Sequence, residues 1–221
     1  TFHVARDPFG VRSLYIGLTK NRDVVFSSEL KSIDELVECH PDGWADQFTP
    51  GHYMTIKEGD ITYTPIEYYN YKYNPVIYSE DSHDIYLKEI RRLFENAVKK
   101  RLMSERPVGC LLSGGLDSSL VTALVAQHFP RGKLKTFSIG LPGSEDLRYA
   151  KMVADHLGTD HHEVVVTEKQ MLQFIEKDIY QIETYDTTTI RASVPMFMLS
   201  HYIQAYTDVK VIYSGEGSDE A

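Results

Sequence analysis

Val108-Gly109-Cys110-Leu111-Leu112-Ser113-Gly114-Gly115-Leu116-Asp117-Ser118-Ser119 opens as a short apolar run, the pattern of a buried strand. It breaks at Ser113-Gly114-Gly115 and continues as Leu120-Val121-Thr122-Ala123-Leu124-Val125-Ala126, which reads as a packed helix. Strand, glycine loop and helix N-terminus together make an anion cradle. Glycines let the backbone come close to the anion, and free N–H groups at the helix start point at it with the dipole behind them. Ser113, Ser118 and Ser119 add hydroxyl donors. The loop has no lysine, which excludes the Gly-x-x-x-x-Gly-Lys-Ser/Thr type of phosphate loop. Asp117 adds a condition, because a carboxylate beside phosphate is repulsive unless a divalent cation lies between them.

Outward from this stretch, residues 83 to 221 alternate helix and strand. Ile90, Leu93, Ala97, Val98 and Leu102 form a helical stripe within residues 85–102. Residues 134–139 read as a strand, and Leu147, Ala150, Val153, Ala154 and Leu157 mark a helix closed by Gly158. A strand over 162–166, a helix over 170–182, a loop over 183–193 and a helix beginning near Pro195 follow. Residues 210–213 make the last strand. The expected fold is α/β, a doubly wound parallel sheet, in which ligands bind beyond the carboxyl ends of the strands. That rim gathers residues 111–119, Ile139-Gly140, 183–191 and 214–220. Asp117 and Asp219 are a carboxylate pair suited to magnesium facing phosphate oxygens, and helix capping is the competing role for each. Glu216 stands between Gly215 and Gly217, where little shields it from a ligand. His161 and His162 are adjacent on a strand and face opposite ways, so they are not expected to share a metal ion.

The first 70 residues carry no phosphate-loop signal. Arg6-Asp7-Pro8-Phe9-Gly10 is a turn. Residues 11–18 and 24–26 read as strands, residues 28–31 as a helix start, and Pro50-Gly51 as a turn into a strand ending at Ile56. A hairpin through Glu58-Gly59-Asp60 completes an antiparallel unit. The tyrosine-rich stretch from Tyr68 to Ser82 is a connection, with 71–82 as the linker. Thr1 precedes the strand-like Phe2-His3-Val4-Ala5 and is set aside as an N-terminal nucleophile.

With 42% hydrophobic and 25% charged residues, the composition is that of a globular protein, and no apolar run approaches the ~20 residues of a membrane span. A formal net charge of −9 without a basic patch argues against nucleic-acid binding. Two cysteines, Cys39 and Cys110, offer no disulfide framework and fit a reducing compartment such as the cytoplasm. Cys110 reads as a small core residue. A chain opening at Thr1 and stopping inside a glycine-acid motif reads as an internal segment.

Ser-Gly-Gly-Leu-Asp-Ser-Ser at 113–119 resembles the pyrophosphate loop of the N-type ATP pyrophosphatases. Residues 97–103 leading into 109–112, Glu183-Thr184-Tyr185-Asp186, Thr189-Ile190-Arg191-Ala192-Ser193 and 214–220 narrow this, being similar to the glutamine-hydrolysing asparagine synthetases. Residues 1–70 resemble the later part of a class II (Ntn-type) glutamine amidotransferase domain, and 83–221 the first part of the synthetase domain. The resemblance implies ATP-dependent amidation of aspartate through a β-aspartyl-AMP intermediate, with ammonia from glutamine and with Mg2+. It places Leu111 or Leu112, with Ile139, at the adenine through backbone contacts. Ser113, Gly114, Gly115, Asp117, Ser118 and Ser119 fall at the pyrophosphate, Ser214 and Gly215 near the nucleotide, and Asp117 and Asp219 at the metal. Glu216 is then the glutamate needed for adenylation. Thr188 and Arg191 are candidates for substrate or pyrophosphate contacts, Arg191 because its planar fork matches carboxylate and phosphate; a surface salt bridge is the other reading of Arg191. The implied partners are aspartate, glutamine and ATP, with no nucleic acid or membrane, and a homodimer is compatible. The family's glutaminase nucleophile lies upstream of the turn at Arg6, so this segment alone is not expected to hydrolyse glutamine. The alternatives are a β-lactam synthetase relative, or a non-catalytic nucleotide-binding or interaction segment. Thr188-Thr189-Ile190-Arg191-Ala192-Ser193 favours the asparagine synthetase resemblance over the β-lactam synthetase one, and Asp117, Glu216 and Asp219 together speak against a non-catalytic segment.

Overall fold

The computed structural model describes residues 1–19, 21–38, 44–57, 64–70 and 83–217. Two units divide the chain, Thr1–Ile77 and Tyr78–Ala221. The first is antiparallel. Strands β1 (Phe2–Ala5), β5 (His52–Ile56) and β6 (Ile66–Glu67) form one sheet, and β3 (Val24–Ser27), β2 (Tyr15–Leu18) and β4 (Trp44–Gln47) another. Ile16, Phe48 and Met54 are its buried centre. The buried Arg6 guanidinium donates to the carbonyls of Phe48 (2.7 Å), Arg12 (3.0 Å) and Gly10 (3.1 Å). Asp7 accepts from the N–H groups of Val11, Phe9 and Arg12, and these bonds, Val11 first, hold its carboxyl below the ordinary range. These ties keep residues 11–14 out of the expected strand, which starts only at Tyr15. The helix start expected at 28–31 is instead a 3-10 turn, Leu30–Ser32, before a short helix α1 (Asp34–Glu38). β4 was not foreseen, because Trp44-Ala45-Asp46-Gln47 is too polar to show an alternating pattern. The expected turn at Glu58-Gly59-Asp60 and the linker 71–82 lie outside the described residues.

The second unit is the parallel sheet with helices on both faces. Strands β7 (Val108–Leu111), β8 (Lys135–Gly140), β9 (Asp160–Val165) and β10 (Val211–Tyr213) run parallel in the order β10-β7-β8-β9. On one face α2 (His83–Arg101), α3 (Leu116–Ala126) and α4 (Glu145–Leu157) cover Cys110, Leu112, Leu134 and Tyr213. On the other, α6 (Thr187–Tyr206), backed by α5 (Glu168–Ile182), packs Leu199 and Ile203 on Phe137 and Val209. Gly158 ends α4 at φ +68, the left-handed turn its missing side chain permits. Of the stripe expected on α2, Val98 is buried, but Ile90 and Leu93 are 62% and 52% exposed.

One boundary needs correction. α6 begins at Thr187, so the expected loop 183–193 shrinks to 183–186 and Pro195 lies inside the helix. The cause is Asp186, whose carboxylate accepts from the Thr189 N–H (2.8 Å) and hydroxyl (2.9 Å) and caps the new start. Among the described residues no helix is long and apolar enough to cross a membrane. Cys110 is fully buried and burial pushes its thiol up to about 12. It is therefore expected to resist iodoacetamide in the native protein and to react fully in denaturant. Peptide mass mapping checks this, and native labelling of Cys110 would overturn it.

Candidate functional site

Strand order fixes where a ligand can bind. The chain steps from β7 to β8 to β9 in one direction, then returns to lay β10 on the other side of β7. The switch point of the sheet is therefore between β7 and β10, the place where such sheets open a crevice at their carboxyl ends. Both glycine-serine-acid loops leave from it.

Close backbone contact joins the two loops. A Cβ on Gly215 would lie 2.8 Å from the Asp117 carbonyl carbon and 2.8 Å from the Ser118 nitrogen, so the β10 loop rests directly on the first turn of α3. Gly114 has φ +87, and a Cβ there would meet the Ala150 nitrogen at 2.5 Å. The loop is internally bonded. The Ser113 and Ser118 hydroxyls are 2.9 Å apart, the Gly115 N–H donates to Ser113 Oγ (3.3 Å), and the Ser119 hydroxyl donates to the Gly115 carbonyl (2.6 Å). No side chain caps α3, whose N-cap is Gly115. Its first-turn N–H groups face the loop with the positive end of the helix dipole.

Above the switch point is a cavity of about 410 Å3. Ser113, Gly115, Asp117, Ser118, Ser214 and Glu216 give it a polar lining, and Leu111, Phe137, Ile139, Pro195, Met196 and Leu199 an apolar one. An anion cradle beside an apolar slot suits a ligand with a phosphate tail and a flat, apolar-faced ring. Asp117, in the first turn of α3, is a hard oxygen donor of the kind magnesium takes beside phosphate oxygens. Among the described residues no three His, Cys, Asp or Glu cluster as a metal cage. Exposed Glu216 donates its backbone N–H to Ser214 Oγ (3.1 Å), a turn that sets its side chain on the cavity wall.

Of the residues expected here, the cavity brings together Leu111, Leu112, Ser113, Gly115, Asp117, Ser118, Ile139, Ser214, Gly215 and Glu216. Gly114 and Ser119 shape the loop without lining it. Thr188 and Arg191 are exposed on the first turns of α6 and do not line the cavity, although Ala192, the next residue, does. Asp219 lies outside the described residues. Sequence reading missed Asp146 and the α6 wall. Asp146 follows the β8 strand end in the first turn of α4, and the strand-end rule could have found it. The wall comes from the body of α6, not from a strand-end loop. His161 bonds Thr136 Oγ1 (2.9 Å) and Ser138 Oγ (3.2 Å), while His162 stacks on Phe137 (5.1 Å between centroids) and meets the Tyr202 hydroxyl (3.3 Å). They face opposite sides of the sheet, and burial, the main cause, holds His161 below its ordinary pKa.

A sequence model described as asparagine synthase matches residues 89–221. The asparagine synthetase (glutamine-hydrolysing) of Triphysaria versicolor is 46% identical over 230 residues, which cover 100% of this chain and 37% of that protein. The Gallus gallus counterpart is 40% identical over 237 residues, covering 98% of this chain and 42% of that one. The chain thus spans less than half the length of these relatives. The solved NH3-dependent NAD synthetase of Campylobacter jejuni aligns at TM-score 0.41 and 18% identity, over 56% of this chain and 54% of that one.

Proposed function

Because the chain belongs to the asparagine synthase family, we propose that the whole protein amidates aspartate to asparagine with ATP and glutamine, through β-aspartyl-AMP, releasing AMP and pyrophosphate. The observation that carries this is the meeting of the 112–115 and 214–217 loops at the β7/β10 switch point, with Asp117 and Glu216 on one cavity wall. The adenine lies in the apolar slot, against the backbone of Leu111 or Leu112 and Ile139. Ser113, Gly114, Gly115, Ser118 and Ser119 shape the cradle for the β- and γ-phosphates, and Ser214 and Gly215 close over the nucleotide.

An oxygen of the aspartate β-carboxylate attacks the α-phosphorus, and the bond to the pyrophosphate oxygen breaks. Donors fixed in advance at that oxygen lower the barrier, because they need no reorganisation as charge builds. Asp117 and Asp219 would hold Mg2+, which would supply charge neutralisation at the leaving pyrophosphate. Glu216 acts on the adenylation step from the cavity wall, and Thr188 and Arg191 contact substrate or leaving pyrophosphate from the start of α6. Ammonia then attacks the acyl carbon, AMP departs, and a proton leaves the new amide nitrogen. In this reading residues 1–70 are the later part of the glutaminase domain, 71–82 the linker, and 83–221 the first part of the synthetase domain. Cytoplasmic residence and a homodimer belong to the same reading.

The site of ATP cleavage tests it. The loop lacks the lysine of γ-phosphate-handling loops, so cleavage between the α and β phosphates is expected. Chromatography of spent nucleotide from the full-length enzyme should show AMP matching asparagine formed. ADP as product overturns the reading.

A further inference from the structure

The face that α5 turns to α6 carries Met171, Phe174, Ile175, Asp178 and Ile182, one stripe at helical spacing with a single carboxylate in it. Asp178 is 0% exposed. Its Oδ2 accepts from the Ser193 hydroxyl on α6, and its Oδ1 has no hydrogen-bond partner. Ser193 is set among Ile190, Val194 and Met198, the buried apolar residues of the same α6 face. One polar pair therefore sits among the buried apolar residues of this helix–helix contact. Burying a carboxylate with an unanswered oxygen costs stability, and apolar residues of similar volume would pack there at no such cost. What a lone polar pair supplies in such a seam is register, since a shift of either helix separates the two groups.

Register matters at this point of α6. Ser193 directly follows Ala192 and precedes Pro195 and Met196, all three on the cavity wall. Pro195 has no N–H to give the Arg191 carbonyl, so the helix is least held by its own ladder just where it forms the wall. We propose that Asp178, acting through Ser193, is a positioning residue that locks the α5–α6 register and so fixes the α6 wall of the nucleotide slot. This deepens the function proposed above and rests on it for the identity of the nucleotide.

The test uses full-length enzyme carrying Ser193→Ala, Asp178→Asn, or Asp178→Leu with Ser193→Ala. Thermal midpoint, kcat, KM for ATP and the direct affinity for ATP are measured for each. The apolar pair should match or exceed the parent's thermal midpoint while KM and Kd for ATP rise ~10-fold or more and kcat stays within ~3-fold. Ser193→Ala should raise KM in the same direction. Asp178→Asn keeps an acceptor for Ser193 and should stay close to the parent. ATP affinity within twofold of the parent in the apolar pair overturns the proposal. So does a loss of thermal stability with KM unchanged in Ser193→Ala, which is the mark of a merely structural contact and remains readable if the double variant fails to fold. A parent that does not bind ATP fails the functional reading itself, before any variant is compared.

Discussion

Glu216→Gln in the full-length enzyme is expected to lower kcat and kcat/KM for asparagine formation together by ~100-fold or more, leaving ATP affinity and glutaminase activity near parent values. The argument is geometric. Gly215 presses the loop onto α3, and the next residue therefore falls on the cavity wall beside Asp117. Gln preserves volume and removes charge, so lost packing cannot account for a lost rate. Glu216 is exposed at a loop position, so stability should hardly change. Rapid-quench measurement of pyrophosphate release isolates the adenylation step. Asparagine made within a few-fold of the parent rate makes Glu216 a loop residue and defeats the assignment.

Gly114→Ala is expected to destabilise the fold by about 2–4 kcal/mol and weaken ATP binding by ~100-fold or more. Two costs combine. At φ +87 a side chain is strained whatever the space, and a Cβ would also sit 2.5 Å from the Ala150 nitrogen and 2.6 Å from Tyr149 Cβ. The obstacle is largely α4 backbone, which cannot rotate aside as a flexible side-chain tip would. Either the loop lifts off α4, and the cradle loses its shape, or α4 moves and disturbs Leu112 and Ala154. Urea unfolding and nucleotide competition measure the two effects. Parent-like values in both would show that the close packing of this loop is not what shapes the site.

Local signals carried much of this fold. Glycine at 114, 115 and 158, the apolar run into Leu112 and the adjacent histidines each announce their geometry within a few residues. What was hidden depends on partners far along the chain. Thr187, Thr188, Thr189 and Ile190 are β-branched, and Pro195 looks like a first-turn residue, so helix propensity alone argued for a later start. The Asp186 cap and the packing of Ile190 and Val194 on α5 override it. The override adds Ala192 to the helical wall of the cavity, beside Pro195, Met196 and Leu199. Asp178 was legible in principle, as the one acid at a core-facing position of α5.

Val211 lies beside Val108, although two further strands and four helices separate them along the chain. Closing so long a loop is entropically slow, so β7, β8 and β9 can associate during synthesis well before β10 arrives. The cradle is consequently completed late. A nascent chain with its first glycine loop formed still lacks the second, and only the finished pairing of β10 with β7 lets a nucleotide add its binding energy to the native state. At a hundred times its dissociation constant that contribution is about 2.7 kcal/mol. On the function proposed above, ATP would then act as a ratchet on the last folding step as well as a reactant.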